Sequence, residues 1–155
     1  MMFYSSTKKS YYKRYDFFGD IMRTFYIFKI NKEFKILTKN KPYNLFLALD
    51  NIHSMPKNEL NLGLRLFEQI CEETSPKSLN LNLFNRYKNS DYYTKFNNNH
   101  LINNYYTDES SKLTINKTFL KLKSTKNNPS FLKELKSIPN LFVVDFNSKD
   151  YFWLS

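Results

Sequence analysis

The stretch NKTFLKLKSTKNNPSFLKELKSIPNLFVVDF, Asn116 to Phe146, constrains the fold more than any other part of the chain. TFLKLK reads as a strand. Asn128 and Pro129 then open a helix as N-cap and first position, and Phe131, Leu135 and Ile138 share one helical face. Pro139 stops that helix, and NLFVVDF, filled with β-branched and aromatic residues, reads as a second strand. A β-α-β unit with such short connections needs a sheet to bury its helix against.

Upstream, TFYIFKI and EFKIL, separated by Asn31 and Lys32, suggest a hairpin. YNLFLAL, Tyr43 to Leu49, alternates like a central strand and ends at Asp50. A helix is expected from Met55 to Glu73, with Ser54 as cap, Pro56 in its first turn and Leu60, Leu64, Phe67 and Cys71 along one face. SLNLNLF, where Leu79, Leu81 and Leu83 alternate with Asn80 and Asn82, reads as the next strand. Residues 85–111 have few aliphatic side chains and no stable period, which reads as a long loop. In the strand beginning at Lys112 the apolar parity switches between Ile115 and Leu120, and a bulge near Asn116 or Lys117 would account for it.

This order predicts an α+β, ferredoxin-like β-α-β-β-α-β sandwich with a long excursion between its second and third strands. The expected organisation is a basic, aromatic N-terminal extension over 1–41 and a ferredoxin-like domain over 42–155, with a loop insertion at 85–111. Of the formal net charge of +10, about +7 falls in residues 1–41, where ten Lys or Arg face three acids. Such an arm suits an acidic partner, nucleic acid above all.

Known catalytic patterns are hard to place. Gly19 and Gly63 are the two glycines, so neither a P-loop nor a G-x-G-x-x-G turn can be built. Cys71 is the single cysteine and lies on the apolar stripe; His53 and His100 are the two histidines. The carboxylate pairs Glu72-Glu73 and Asp108-Glu109 are adjacent in sequence and point apart. The expectation is a protein without enzymatic activity, cofactor, metal or small-molecule substrate. With no apolar run near the length of a membrane span, no membrane partner is expected either.

What remains is a mixture of cations and tyrosines. Lys8, Lys9, Lys13, Arg14 and Arg23 in the arm, and Arg86, Lys88, Tyr92, Tyr93 and Lys95 in the excursion, combine phosphate neutralisation with rings able to stack on unpaired bases. The alternative is a polar surface driven by an AT-rich genome, with its tyrosines packed on the domain.

Residues 43–146 resemble the small-subunit ribosomal protein S10 family. The resemblance lies in LALD, Leu47 to Asp50, followed by a helix, and in the third strand, short helix, proline and final strand of 116–146. NNHLINN around His100 stands where that family carries its hairpin motif, which adds His100 to the RNA-binding candidates. The resemblance implies a structural component of a small ribosomal subunit, mitochondrial given the composition, whose partners in translation are rRNA and neighbouring small-subunit ribosomal proteins. A soluble accessory subunit of a large organellar membrane complex is the rival reading.

Overall fold

The longest strand is IMRTFYIFKI, β2 (Ile21–Ile30), and almost every side chain from Phe25 onward is buried. A strand hydrophobic on both parities must be covered on both faces. In the computed structural model, which describes residues 14–15 and 21–155, this is what surrounds it. The elements are β1 (Arg14–Tyr15), β2, α1 (Lys32–Thr38), α2 (Pro42–His53), a 3-10 turn (Lys57–Glu59), α3 (Leu60–Ile70), β3 (Cys71–Glu72) and α4 (Pro76–Tyr87). β4 (Tyr93–Phe96), β5 (Asn99–Asn104), β6 (Glu109–Ile115), β7 (Leu120–Ser124), α5 (Ser130–Leu135), β8 (Leu141–Asp145) and β9 (Asp150–Trp153) follow.

The sheet runs β4-β5-β6-β7-β2-β8-β9, each neighbouring pair antiparallel, and β1 and β3 add short pairings to β2. Phe25 and Ile27 join Leu83, Tyr87, Leu113, Leu122, Phe131 and Leu135 in a core beneath α4 and α5. Tyr26, Phe28 and Ile30 join Leu45, Leu49, Ile52, Phe67 and Ile70 beneath α2 and α3. β8 lies between two covered faces, and all five of its residues are buried.

This architecture corrects the ferredoxin-like expectation. β7, α5 and β8 are present as the β-α-β unit, but β2 is inserted between the two strands and pairs with both. The segment Tyr43–Leu49 is helix, not strand. Pro42 sits in the first turn of α2, and the buried Leu45, Phe46, Leu49, Ile52 and His53 follow helical spacing. SLNLNLF likewise lies in α4, opened by Pro76, where Leu79, Leu83 and Tyr87 pack inward and Leu81 and Phe84 are exposed. Expected as a hairpin, 24–37 is the end of β2 followed by α1.

Residues 85–111 are not a loop. They complete α4 and form a hairpin whose two-residue turn places Asn97 at φ 54°, a conformation asparagine tolerates. The parity switch after Ile115 is a second hairpin, with Ile115 opposite Leu120 and Asn116 N–H donating to Phe119 O at 3.1 Å, instead of a bulge. β2 begins inside the segment that composition sets apart as an extension, yet it occupies the middle of the sheet.

Candidate partner-binding interface

Along β5 to β7 the inward residues Ile102, Leu113, Ile115, Leu120 and Leu122 alternate with polar ones facing the other way. The register gathers the residues on that other side, apolar Leu101 and buried Tyr26 among them, into two rows. Leu101, Lys112, Lys123 and Thr24 form one, and Asn99, Thr114, Lys121 and Tyr26 the other. This is the same side of the sheet that carries α2 and α3 farther along.

Asn99, Lys112, Thr114, Asn116, Phe119, Lys121 and Lys123 line a depression of about 260 Å³ there. No carboxylate is among these lining residues. Thr114 donates to Asn99 Oδ1 at 2.7 Å, and Lys121 Nζ stands 5.6 Å from the Tyr26 ring centre. Lys112 and Lys123 are direct cross-strand partners. Like charges placed directly opposite each other on a sheet repel. The field of this face reaches inward: His53 is held neutral to about pKa 4, first by burial and then by the charge of Lys121. Chemically, the face attracts phosphates or carboxylates on a broad surface.

The residues expected to bind RNA are not brought together. Lys8, Lys9 and Lys13 lie outside the described residues, and Arg14 is in β1, paired with Met22. Arg23 is engaged within the domain. Its Nε donates to Asp145 Oδ2 at 3.0 Å, its Nη2 to Asp150 Oδ2 at 3.1 Å and its Nη1 to Asn127 Oδ1 at 3.1 Å. Asp145 also accepts from the backbone N–H groups of Asn147 and Ser148, so this cluster pins β2 to the β8-β9 turn.

Arg86 bridges α4 to Glu134 at 3.0 Å. Lys88 ends α4 in an exposed position, Tyr92 is exposed, and Lys95 is exposed on β4. Tyr93 and His100 are buried against each other. Burial, aided by Lys95, lowers the His100 pKa to about 4.

The remaining reactive side chains also lie apart. Cys71 is buried in the α3 core, where desolvation raises its thiol pKa. His53 stacks on Phe146 at 4.1 Å. Among the described residues, no group of three or more His, Cys, Asp or Glu side chains is placed to hold a metal ion. Glu109 braces the start of α5, where its carboxylate accepts from the N–H and hydroxyl of Ser130 and also from Ser111 Oγ.

Sequence reasoning missed Lys112, Lys121 and Lys123. The signal was the LKLK of β7, where the alternation that buries leucine must collect lysine on the opposite side.

The sequence model of the family described as "SirA: Sporulation inhibitor of replication protein SirA" matches residues 23–155. No curated protein matches the chain. The family match runs from the third residue of β2 through β9 and overturns the resemblance to ribosomal protein S10. With it go the ribosomal and mitochondrial readings, the rRNA and ribosomal-protein partners, and the rival of a respiratory accessory subunit.

Proposed function

Since the chain belongs to the SirA family of sporulation inhibitors of replication, we propose that it restrains the initiation of DNA replication by binding a component of the initiation apparatus. The observation that carries this reading is the extent of the match, 23–155, which takes in the central strand and every strand after it. Inhibition then acts by occupancy and not by turnover: the amount of protein sets the degree of restraint.

The lysine-bearing face of β5 to β7 is the surface best suited to hold an anionic partner. Its contribution weakens with salt, because the charges lie near solvent.

The test is controlled expression of the chain in a sporulating bacterium, with the ratio of origin to terminus DNA measured by sequencing depth. The ratio falls toward one as expression rises. A ratio that stays constant at every expression level would overturn the reading.

A further inference from the structure

The core beneath α4 and α5 stays open at the end where β2 finishes. Phe25 and Ile27 point into that core, and the next position of the same parity in the central strand is Lys29. Its side chain keeps 29% exposure, and its carboxylate neighbour, Glu72 Oε2, stands at 3.9 Å, too far for a hydrogen bond. A half-covered cation on the core-facing parity of the central strand has room for a closer partner.

Lys29 opens into a cavity of about 380 Å³ between α4 and the end of α5. Leu79, Leu83, Leu120, Leu135, Ile138 and Leu141 give it an aliphatic floor, and no aromatic ring is among its lining residues. Ser75, Ser78, Asn82 and Arg86 line it along one stripe of α4. Ser75 is the N-cap residue of that helix, yet its hydroxyl makes no capping bond. Arg86 is engaged with Glu134 at 3.0 Å, a bridge that ties α4 to α5 at one end of the cavity. Lys29, Arg86 and Glu134 are the charged lining groups, two cations against one carboxylate, so one positive charge is in excess. Ligand sites of roughly 300–1000 Å³ combine such apolar walls with a few polar groups that orient the guest.

We propose that this cavity binds a small aliphatic monoanion, with its carboxylate held by Lys29 and the hydroxyls of Ser75 and Ser78 and its alkyl chain lying on the leucine floor. The lack of rings in the lining favours an alkyl chain over an aromatic body. One excess positive charge matches a carboxylate better than a phosphate dianion. The site lies on the face of the sheet opposite the lysine rows, so it is separate from the surface assigned to the replication partner and does not depend on that assignment.

The probe is octanoate, kept below its micellar range, added to the full chain and followed by NMR and calorimetry. Acetate, octanol and octylammonium serve as comparisons: a head without a chain, a chain without a charge, and a chain with the opposite charge. Saturable shift changes at Lys29, Ser78, Leu79 and Ile138 are expected with octanoate, and binding at least about tenfold weaker with each comparison. Lys29→Met keeps the apolar stem and removes the charge. It should weaken octanoate at least about tenfold and leave the weaker binding of octanol unchanged. Ser78→Phe fills the cavity and should abolish octanoate binding with thermal unfolding unaltered or raised.

No saturable octanoate binding to the unaltered chain, equal binding of acetate or octylammonium, or shift changes confined to Lys112, Lys121 and Lys123 would each overturn the proposal. So would a Lys29→Met variant that binds octanoate as well as the unaltered chain does, or one that loses octanol and octanoate equally. Should Lys29→Met fail to fold, Ser78→Phe decides: a folded variant with undiminished octanoate affinity overturns the site.

Discussion

The Tyr93 phenol donates to Nδ1 of His100 at 2.7 Å, and His100 Nε2–H donates to Asn80 Oδ1 at 2.7 Å, so one neutral imidazole ties the β4-β5 hairpin to α4. Asn80 in turn donates to Asn98 Oδ1 at 3.0 Å, which fixes its amide orientation and hence the imidazole tautomer.

The neutrality of this histidine makes stability depend on pH with a definite sign. His100 and His53 both have folded pKa values lowered to about 4 from 6.5, in each case by burial first. Between those values the unfolded chain binds the proton more readily. Stability is therefore full above about pH 6.5, falls as pH drops toward 4, and loses nothing further from these groups below that. The limit is about 3 kcal/mol per histidine. Urea midpoints from pH 7 to pH 4 check the trend, and NMR titration should find both imidazoles neutral at pH 5.5.

Replacing Arg23 should weaken the fold. Arg23→Met leaves the buried Asp145 carboxylate without its guanidinium and close to Asp150. A loss of about 3 kcal/mol is expected. Thermal unfolding measures it, and Asp145→Asn should lose less because Asn147 and Ser148 still donate to that side chain.

The lysine face predicts the opposite pairing of effects. Lys112→Glu removes a like-charge contact with Lys123, so stability should hold or rise by up to about 1 kcal/mol. Restraint of replication should nevertheless drop. A variant that stays fully inhibitory would assign the partner to another surface.

Helix and strand readings of SLNLNLF differ in a measurable way. A strand treats Leu81 and Leu83 alike, whereas in α4 Leu83 is buried and Leu81 is 58% exposed. Leu83→Ala should destabilise by about 2–5 kcal/mol, and Leu81→Ala should stay within about 0.5 kcal/mol. Denaturant unfolding of the two variants separates the readings.

That example explains where the sequence misleads. Leucines spaced by two also contain a spacing of four, so 79 and 83 satisfy both periods and the asparagines between them do not arbitrate. The deciding signs were Pro42 and Pro76 at helix starts, together with Phe46 next to Leu45 as a doubly inward pair. The unit β7-α5-β8 was legible because cap, period and terminator agree within it. The β4-β5 hairpin was not, since its Asn97-Asn98 turn is hidden among many asparagines and its inward residues include Tyr93 and His100, which satisfy each other. Arg23 and His100 look like ligand-binding groups by type, and only their tertiary partners reveal a structural use. The exposure of Ile36 and Leu37 on α1 was out of reach, because EFKIL contains no clue that these two side chains are left outside.

The position of β2 has a consequence for how the protein is made. Arg23 and Asp145, which bond directly across the sheet, are 122 residues apart in the chain. At translation speeds of about 5–20 residues per second, β2 waits roughly 6–25 s for its β8 neighbour to be synthesised. Through most of that interval an aromatic-rich strand meant for burial on both faces lacks β7 as well, and β8 is the last of its two long neighbours to be made. The nascent chain thus carries a sticky segment made well before its partner strands, a natural client for a holding chaperone, and interruption of synthesis before β8 leaves it exposed. Whatever the folded molecule does therefore begins with the closing of its sheet, and lags behind its message by at least the time needed to synthesise β8.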